Sequence, residues 1–161
     1  MSVVEPAQVV CVDLDSTLTD TRHRRDLCPT VNPDCSWDDY HAACAGDAPV
    51  TGVVTLVRML VTAGYGIHIV TNRSARFYEK TVAWLTQHNV PHHHLAMRPG
   101  DIALEDTNRW KLQYLAYLDR VEGYEVRLFI EDWPETANAI EAAGVPVLCI
   151  NPRYATAPVP A

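Results

Sequence analysis

Val9-Val10-Cys11-Val12-Asp13-Leu14-Asp15-Ser16-Thr17 runs from four apolar residues straight into two acids spaced i, i+2. A short apolar run ending in turn chemistry reads as a buried strand, which places both acids at a strand's carboxyl end. In open α/β sheets, ligands gather in the crevice beyond those ends. Two carboxylates there can divide the work: one attacks as a nucleophile while its neighbour moves a proton, and a hard cation offsets the charge that a phosphate brings. An acidic pair after a strand also serves as a solvated turn or a helix cap, and the motif alone leaves both readings open.

Three later features stand where further strands should end. Ile67-His68-Ile69-Val70 leads into Thr71-Asn72-Arg73, Lys111 lies at the opening of a helical stretch, and Leu128-Phe129-Ile130 leads into Glu131-Asp132. Hydroxyl, ammonium and acid would then converge on the first motif. The rest of the chain alternates in the same way. Strands are expected near 8–13, 66–71, 95–97, 126–131 and 146–150, and helices near 51–63, 74–89, 107–119 and 134–143. That alternation predicts an α/β fold, a Rossmann-like three-layer sandwich with a central parallel sheet covered on both faces. Val53, Val54, Val57, Leu60 and Val61 recur at helical spacing, and Gly64 and Gly66 punctuate the turn that follows. Ser74 is an expected N-cap before the stripe Phe77, Tyr78, Thr81, Val82 and Leu85.

The 161 residues, 48% of them hydrophobic and 20% charged, suit one domain with a substantial core. Residues 20–50, rich in polar residues, prolines and cysteines, form a small cap-like insertion with one short helix expected around Ser36 to Cys44. No stretch is long and apolar enough to span a bilayer, and Glu5 and Pro6 interrupt any secretory pattern, so a cytoplasmic protein without membrane partners is expected. Five cysteines are an odd number, and Cys11 and Cys149 fall in strands expected to be buried, which argues against a disulfide scaffold. Cys28, Cys35 and Cys44 beside His23 and His41 lack the close Cys-x-x-Cys spacing of a zinc site. His92, His93 and His94 point in different directions and cannot all reach one ion, His68 reads as a core histidine, and the residues from Ala155 to Ala161 read as a surface tail.

The order of motifs resembles the haloacid dehalogenase-like hydrolases, over nearly the whole chain. The resemblance implies a phosphatase using an aspartyl-phosphate intermediate and Mg²⁺. It makes Asp13 the nucleophile and Asp15 the general acid/base, with Thr17 supporting the loop, Thr71 on the transferring phosphoryl group and Lys111 offsetting charge. Metal would be held by Asp13, the Asp15 backbone carbonyl and Asp132, with Glu131 a further ligand or an orienting acid. Crowded negative charge is expected to raise the proton affinity of Asp15 and let it hold a proton.

A narrower resemblance rests on Val90-Pro91, Leu95-Ala96-Met97-Arg98-Pro99-Gly100-Asp101 and Lys111, preceded by Tyr78 and Trp84-Leu85. It is similar to the phosphatase domain of polynucleotide kinase-phosphatases, which remove 3′-phosphates from nucleic-acid ends. Glu131, Trp133, Pro134 and Glu135 depart from that pattern. The resemblance implies a polynucleotide 3′-phosphatase, with a nucleotidase or small-molecule phosphatase and a catalytically silent phosphate-binding module as the alternatives. Asn72, Arg73, Arg76 and Arg98 would contact phosphate with Asp101 nearby, and Arg22, Arg24 and Arg25 could extend a positive rim, though such clusters also simply face water. No Gly-x-x-x-x-Gly-Lys-Ser/Thr loop is present, so any kinase or ligase activity would come from a separate partner. A net charge of −7 argues against long, non-specific tracking along nucleic acid. Among the four tryptophans, Trp84 and Trp110 read as core, Trp37 is left open, and Trp133, next to Asp132, is the candidate base-stacking surface.

Overall fold

β1 (Gln8–Val12) is the central strand, and its last four residues are buried. Side chains alternate across a sheet, so Val10 and Val12 enter one apolar cluster while Cys11 enters another on the opposite face. A strand covered on both faces must be apolar throughout, which is what the run of four residues supplies. The computed structural model describes residues 7–100, 102 and 107–150. Asp101 and the tail from Ala155 to Ala161 lie outside them.

In chain order the remaining elements are β2 (Thr19–Asp20), α1 (Trp37–Ala42), β3 (Ala48–Pro49), α2 (Thr51–Thr62), β4 (Gly66–Ser74), α3 (Tyr78–Gln87), β5 (His94–Arg98), α4 (Thr107–Tyr117), β6 (Glu125–Glu131), α5 (Pro134–Ala142) and β7 (Val147–Cys149). The sheet is five-stranded, in the order β5-β4-β1-β6-β7, and every neighbouring pair is parallel. Helices cover both faces. Val53, Val54 and Val57 of α2 and Trp84 and Leu85 of α3 pack with Val10, Val12, Ile67 and Ile69. Trp110 and Leu115 of α4 and Ile140 of α5 pack with Cys11, Val70 and Phe129. Gly64, at a φ of 93°, supplies the left-handed turn from α2 into β4.

The chain runs from β1 outward through β4 and β5, then returns to lay β6 and β7 on the other side. That reversal opens a crevice between the carboxyl ends of β1 and β6. Register sets what lines it: Val12 lies opposite Ile69 and Ile130, and the Asp13 amide donates to the Ile130 carbonyl at 2.9 Å.

The insertion departs from the fold at β2 and returns at β3, and these two short strands pair antiparallel. Inside it, α1 is started by a reciprocal cap, in which the Ser36 hydroxyl accepts from the Asp39 amide and the Asp39 carboxylate from the Ser36 amide. The helix expected to reach Cys44 stops at Ala42, and Cys44–Gly46 continues as a 3₁₀ turn. Lys80 of α3 donates to the Ala42 carbonyl at 2.7 Å, docking the insertion on the main body.

One expectation about burial fails. Cys149 is exposed, because β7 is the edge of the sheet, whereas Cys11 in the central strand is buried. No helix among the described residues is long and apolar enough to cross a membrane.

Candidate active site

Asp13 stands one residue beyond β1 and is buried. Its Oδ1 accepts from Lys111 Nζ at 2.7 Å, and the same ammonium donates to Glu131 Oε2 at 2.8 Å. Lys111 sits in α4, Glu131 closes β6 and Asp132 follows it, so helix packing on the sheet is what brings the cation to the acids. Thr17, fully buried, donates toward Asp13 Oδ2 and Asp132 Oδ1, each at 3.2 Å, which ties the first loop to the β6 loop.

Carboxylate oxygens of Asp13, Glu131 and Asp132 all lie within 4.8 Å of one another and could hold a metal ion. Three acids facing one ammonium are short of positive charge. Burial raises Asp13 to about 7, against Lys111, which lowers it, and with Glu131 pushing the same way as burial. Asp132 is raised too, by burial first and then by Asp13 and Glu131. An all-oxygen set that is reluctant to ionise without help suits a hard divalent cation. Glu131 is already well supplied, because its Oε1 accepts from the Asp132 and Trp133 amides at 3.2 Å each. That leaves Asp13 and Asp132 with the freer oxygens, and it fits an orienting role for Glu131.

Asp15 departs from expectation. Its carboxylate meets Arg24 Nη2 at 2.5 Å, Arg73 Nη2, and Arg73 Nε at 3.3 Å. Burial alone would raise its proton affinity, but the two guanidiniums outweigh it and hold the group well below the usual carboxylate range. The crowding argument fails here because the negative charge accumulates on the Asp13 side of the loop, while Asp15 turns toward the insertion. His41 Nε2 lies 3.9 Å from Asp15 Oδ2, and burial depresses this imidazole to about 4, which leaves it neutral.

The positive rim is corrected in part. Arg24 and Arg73 are each 1% exposed and point inward to Asp15, whereas Arg22, Arg25 and Arg76 face solvent. Arg76 pairs with Asp38 of α1. Arg98 is buried and donates to backbone carbonyls, those of Asn72 at 3.0 Å and Ile102, so it ties the end of β4 to the segment after β5. The Thr71 hydroxyl accepts from the Arg73 amide at 3.1 Å, a turn bond that shapes the same segment. Asn72 carries a buried Oδ1 with no hydrogen-bond partner among the described residues. Ser74 does cap, but it caps the 3₁₀ turn Ala75–Phe77 that precedes α3. Trp84 and Trp110 are buried, and Trp133 is 59% exposed beside Asp132. Among the described residues the cysteines and histidines form no metal-ligand cluster.

The residue that sequence reasoning missed is Asp47. Its side chain is fully buried and accepts from Arg24 Nε and Nη2, both at 2.7 Å. Set between Gly46 and Ala48-Pro49, it reads as an ordinary loop acid, and the one signal that could have found it is the cluster of Arg22, Arg24 and Arg25, where a buried arginine would need an acid.

The family model for the PITM 1-3 LNS2 domain matches residues 10–130, from β1 through the end of β6. The chain belongs to the LNS2 domain family. No curated protein matches it. Among solved structures, the LNS2 chain resembles Pnkp1 in the Pnkp1/Rnl/Hen1 RNA repair complex, with a TM-score of 0.72 and 19% identity over 92% of this chain and 43% of that one. It also resembles the class C acid phosphatase from Bacillus anthracis, with a TM-score of 0.63 and 15% identity over 92% of this chain and 67% of the other. A dehalogenase matches at a TM-score of 0.63 and 14% identity, over 94% of this chain and 88% of that one. The LNS2 chain spans less than half the length of the Pnkp1 chains it matches. Its fold is that of the haloacid dehalogenase-like hydrolases.

Proposed function

We propose that this LNS2 domain is a Mg²⁺-dependent phosphomonoesterase that forms an aspartyl-phosphate on Asp13, and that its substrate is a phosphorylated nucleic-acid end, with a 3′-phosphate as the sharpest form. The observation that carries this is Asp13 at the carboxyl end of β1, touched by Lys111 and grouped with Glu131 and Asp132. The likeness to Pnkp1, whose complex is described as one of RNA repair, supports the choice of substrate. Exposed Trp133 beside the acids suits stacking of a base. A separate kinase or ligase partner would complete such a repair.

Asp13, Asp132 and the Asp15 backbone carbonyl would hold Mg²⁺, which when bound supplies charge neutralisation for carboxylate and phosphate together. Asp13 attacks phosphorus and the bond to the leaving oxygen breaks, while Lys111 and Thr71 stabilise the transferring group. The Asp15 carboxyl gives its proton to the leaving oxygen. As carboxylate it then takes a proton from the water that attacks phosphorus and frees Asp13. Asp15 must first gain that proton, and an incoming phosphate dianion opposes Arg24 and Arg73 and raises its proton affinity. Arg76 and Asn72 would contact the substrate, with Arg98 and Arg73 shaping the loop that presents them.

The same ion pairs favour a second reading. A carboxylate locked between two arginines fits a catalytically silent module that binds phosphate without turning it over. Phosphate release with Mg²⁺ from 3′-phosphorylated oligonucleotide, 5′-phosphorylated oligonucleotide and mononucleotides separates the readings, with Asp13→Asn as blank. Preference for the 3′-phosphorylated oligonucleotide is expected. Equal or better hydrolysis of mononucleotides points to a nucleotidase, and phosphate binding without turnover points to the silent module.

A further inference from the structure

We propose that Asp47 is a positioning residue that aims Arg24 and Arg73 at Asp15 and thereby fixes how that carboxyl meets the leaving group. The inference rests on the phosphomonoesterase reading and assigns the insertion a part in it. Asp47 takes the Arg24 guanidinium in a two-bonded fork, and Arg24 Nη2, which also reaches Asp15 at 2.5 Å, is shared between the two acids. Arg73 Nη2 likewise lies between Asp15 Oδ1 and Asp47 Oδ2, the latter at 3.5 Å. Each arginine has one further neutral anchor: Arg24 Nη1 donates to the Tyr40 carbonyl and Arg73 Nη1 to the Thr81 hydroxyl, both at 3.0 Å. The Arg24 guanidinium also lies over the Tyr40 ring, 4.0 Å from its centroid.

Charge explains why Asp47 is required. Two buried guanidiniums against Asp15 alone would leave one excess positive charge out of water, and they would repel each other across a single carboxylate. With Asp47 the four groups together are neutral, and both guanidiniums can reach Asp15 at once. Asp47 is itself fixed: its Oδ1 meets His23 Nε2 at 2.8 Å, and its backbone carbonyl accepts the Trp84 indole N–H at 2.7 Å. Trp84 belongs to the core cluster beside β1. The insertion therefore reaches the first catalytic loop through Arg24, whose fork is held by an acid tied to the main body. Planar two-bonded recognition gives such a link a defined angle as well as energy.

The test compares wild type with Asp47→Asn, which keeps the shape of the side chain and removes its charge. Both are assayed with Mg²⁺ on p-nitrophenyl phosphate, whose leaving group needs little protonation, and on a 3′-phosphorylated oligonucleotide, whose alkoxide leaving group needs a proton. Misaiming Asp15 is expected to lower kcat/KM on the oligonucleotide by about 30-fold, short of the range of about 10²–10⁴ set by full loss of a positioned acid. On p-nitrophenyl phosphate the fall in kcat/KM should stay under about 3-fold, since kcat/KM covers only the steps through aspartyl-phosphate formation and leaves out the later hydrolysis that both substrates share. An equal fall on both substrates, or no fall, overturns the proposal, since a merely structural role does not sense the leaving group. If Asp47→Asn does not fold, Arg24→Lys replaces it: the charge is kept but the fork that joins Asp47 to Asp15 is lost, and the same selective fall is expected. If the wild type hydrolyses neither probe, the phosphatase reading has failed. The positioning claim is then read from the side-chain Nε–H resonances of Arg24 and Arg73, which should shift and exchange faster in Asp47→Asn; unchanged resonances overturn it.

Discussion

Replacing Lys111 by methionine tests whether one ammonium holds the acidic crevice together. Methionine retains the apolar stem and leaves little cavity, so the loss is chiefly electrostatic. The Lys111 side chain is 1% exposed and bonds Asp13 and Glu131 at 2.7 and 2.8 Å. Breaking a buried pair by removing one partner costs about 3–5 kcal/mol. For a domain of this size that corresponds to a melting temperature lower by about 10 °C. The loss must depend on pH. Asp13 is raised from 3.8 to about 7 in the folded protein, so between those values the native state keeps a proton that the unfolded chain has released. Stability contributed by this group is therefore greatest at low pH and falls as pH rises through that window. Without Lys111 the native value moves higher still and the fall steepens. Urea unfolding followed by tryptophan fluorescence, in EDTA, should show a deficit of about 3 kcal/mol or more at pH 8 and less than half of that at pH 5. An equal deficit at both pH values, or a larger one at pH 5, would refute the reasoning.

Asp13→Asn should abolish phosphate release while raising stability in EDTA at pH 8 by about 1 kcal/mol, because it removes one of three crowded acids and leaves Lys111 paired with Glu131; paired activity and unfolding measurements check the opposite signs. Thr17→Val removes the hydroxyl shared by Asp13 and Asp132 and should weaken Mg²⁺ binding about tenfold by calorimetry, the effect of losing an orienting partner. Trp84→Phe leaves the buried Asp47 carbonyl without its indole donor and should cost about 2 kcal/mol in denaturant unfolding. Arg76→Ala breaks a pair whose side chains are 62% and 53% exposed, and its melting curve should move by less than about 0.5 kcal/mol equivalent.

Most of the fold was legible because its signals are periodic and local. The β1 run, the helical spacing of Val53, Val54 and Val57, and the strand that starts at Gly66 each carry their own evidence and lie where they were expected, although that last strand runs on past Thr71 to Ser74. Cys149 was misplaced for a physical reason: an apolar triplet looks alike in a central strand and at an edge, and only strand order distinguishes them. The site divided along similar lines. Asp13, Lys111, Glu131 and Asp132 were legible as acids and a cation beside strand ends, and they do converge. The partners of Asp15 were not, since Arg24 lies in a 3₁₀ segment, Arg73 at the far end of β4 and Asp47 in a loop. No spacing rule joins such positions.

The sequence by itself determined which residues form strands and helices and which acids end β1 and β6, because backbone propensity and apolar period act over a few residues. Tertiary structure alone decided the charge state of those acids. Proton affinity depends on burial and on cations brought from distant parts of the chain: Lys111 leaves Asp13 short of compensation, whereas Arg24 and Arg73 more than compensate Asp15. Two carboxylates two positions apart in the motif thus meet opposite electrostatic environments.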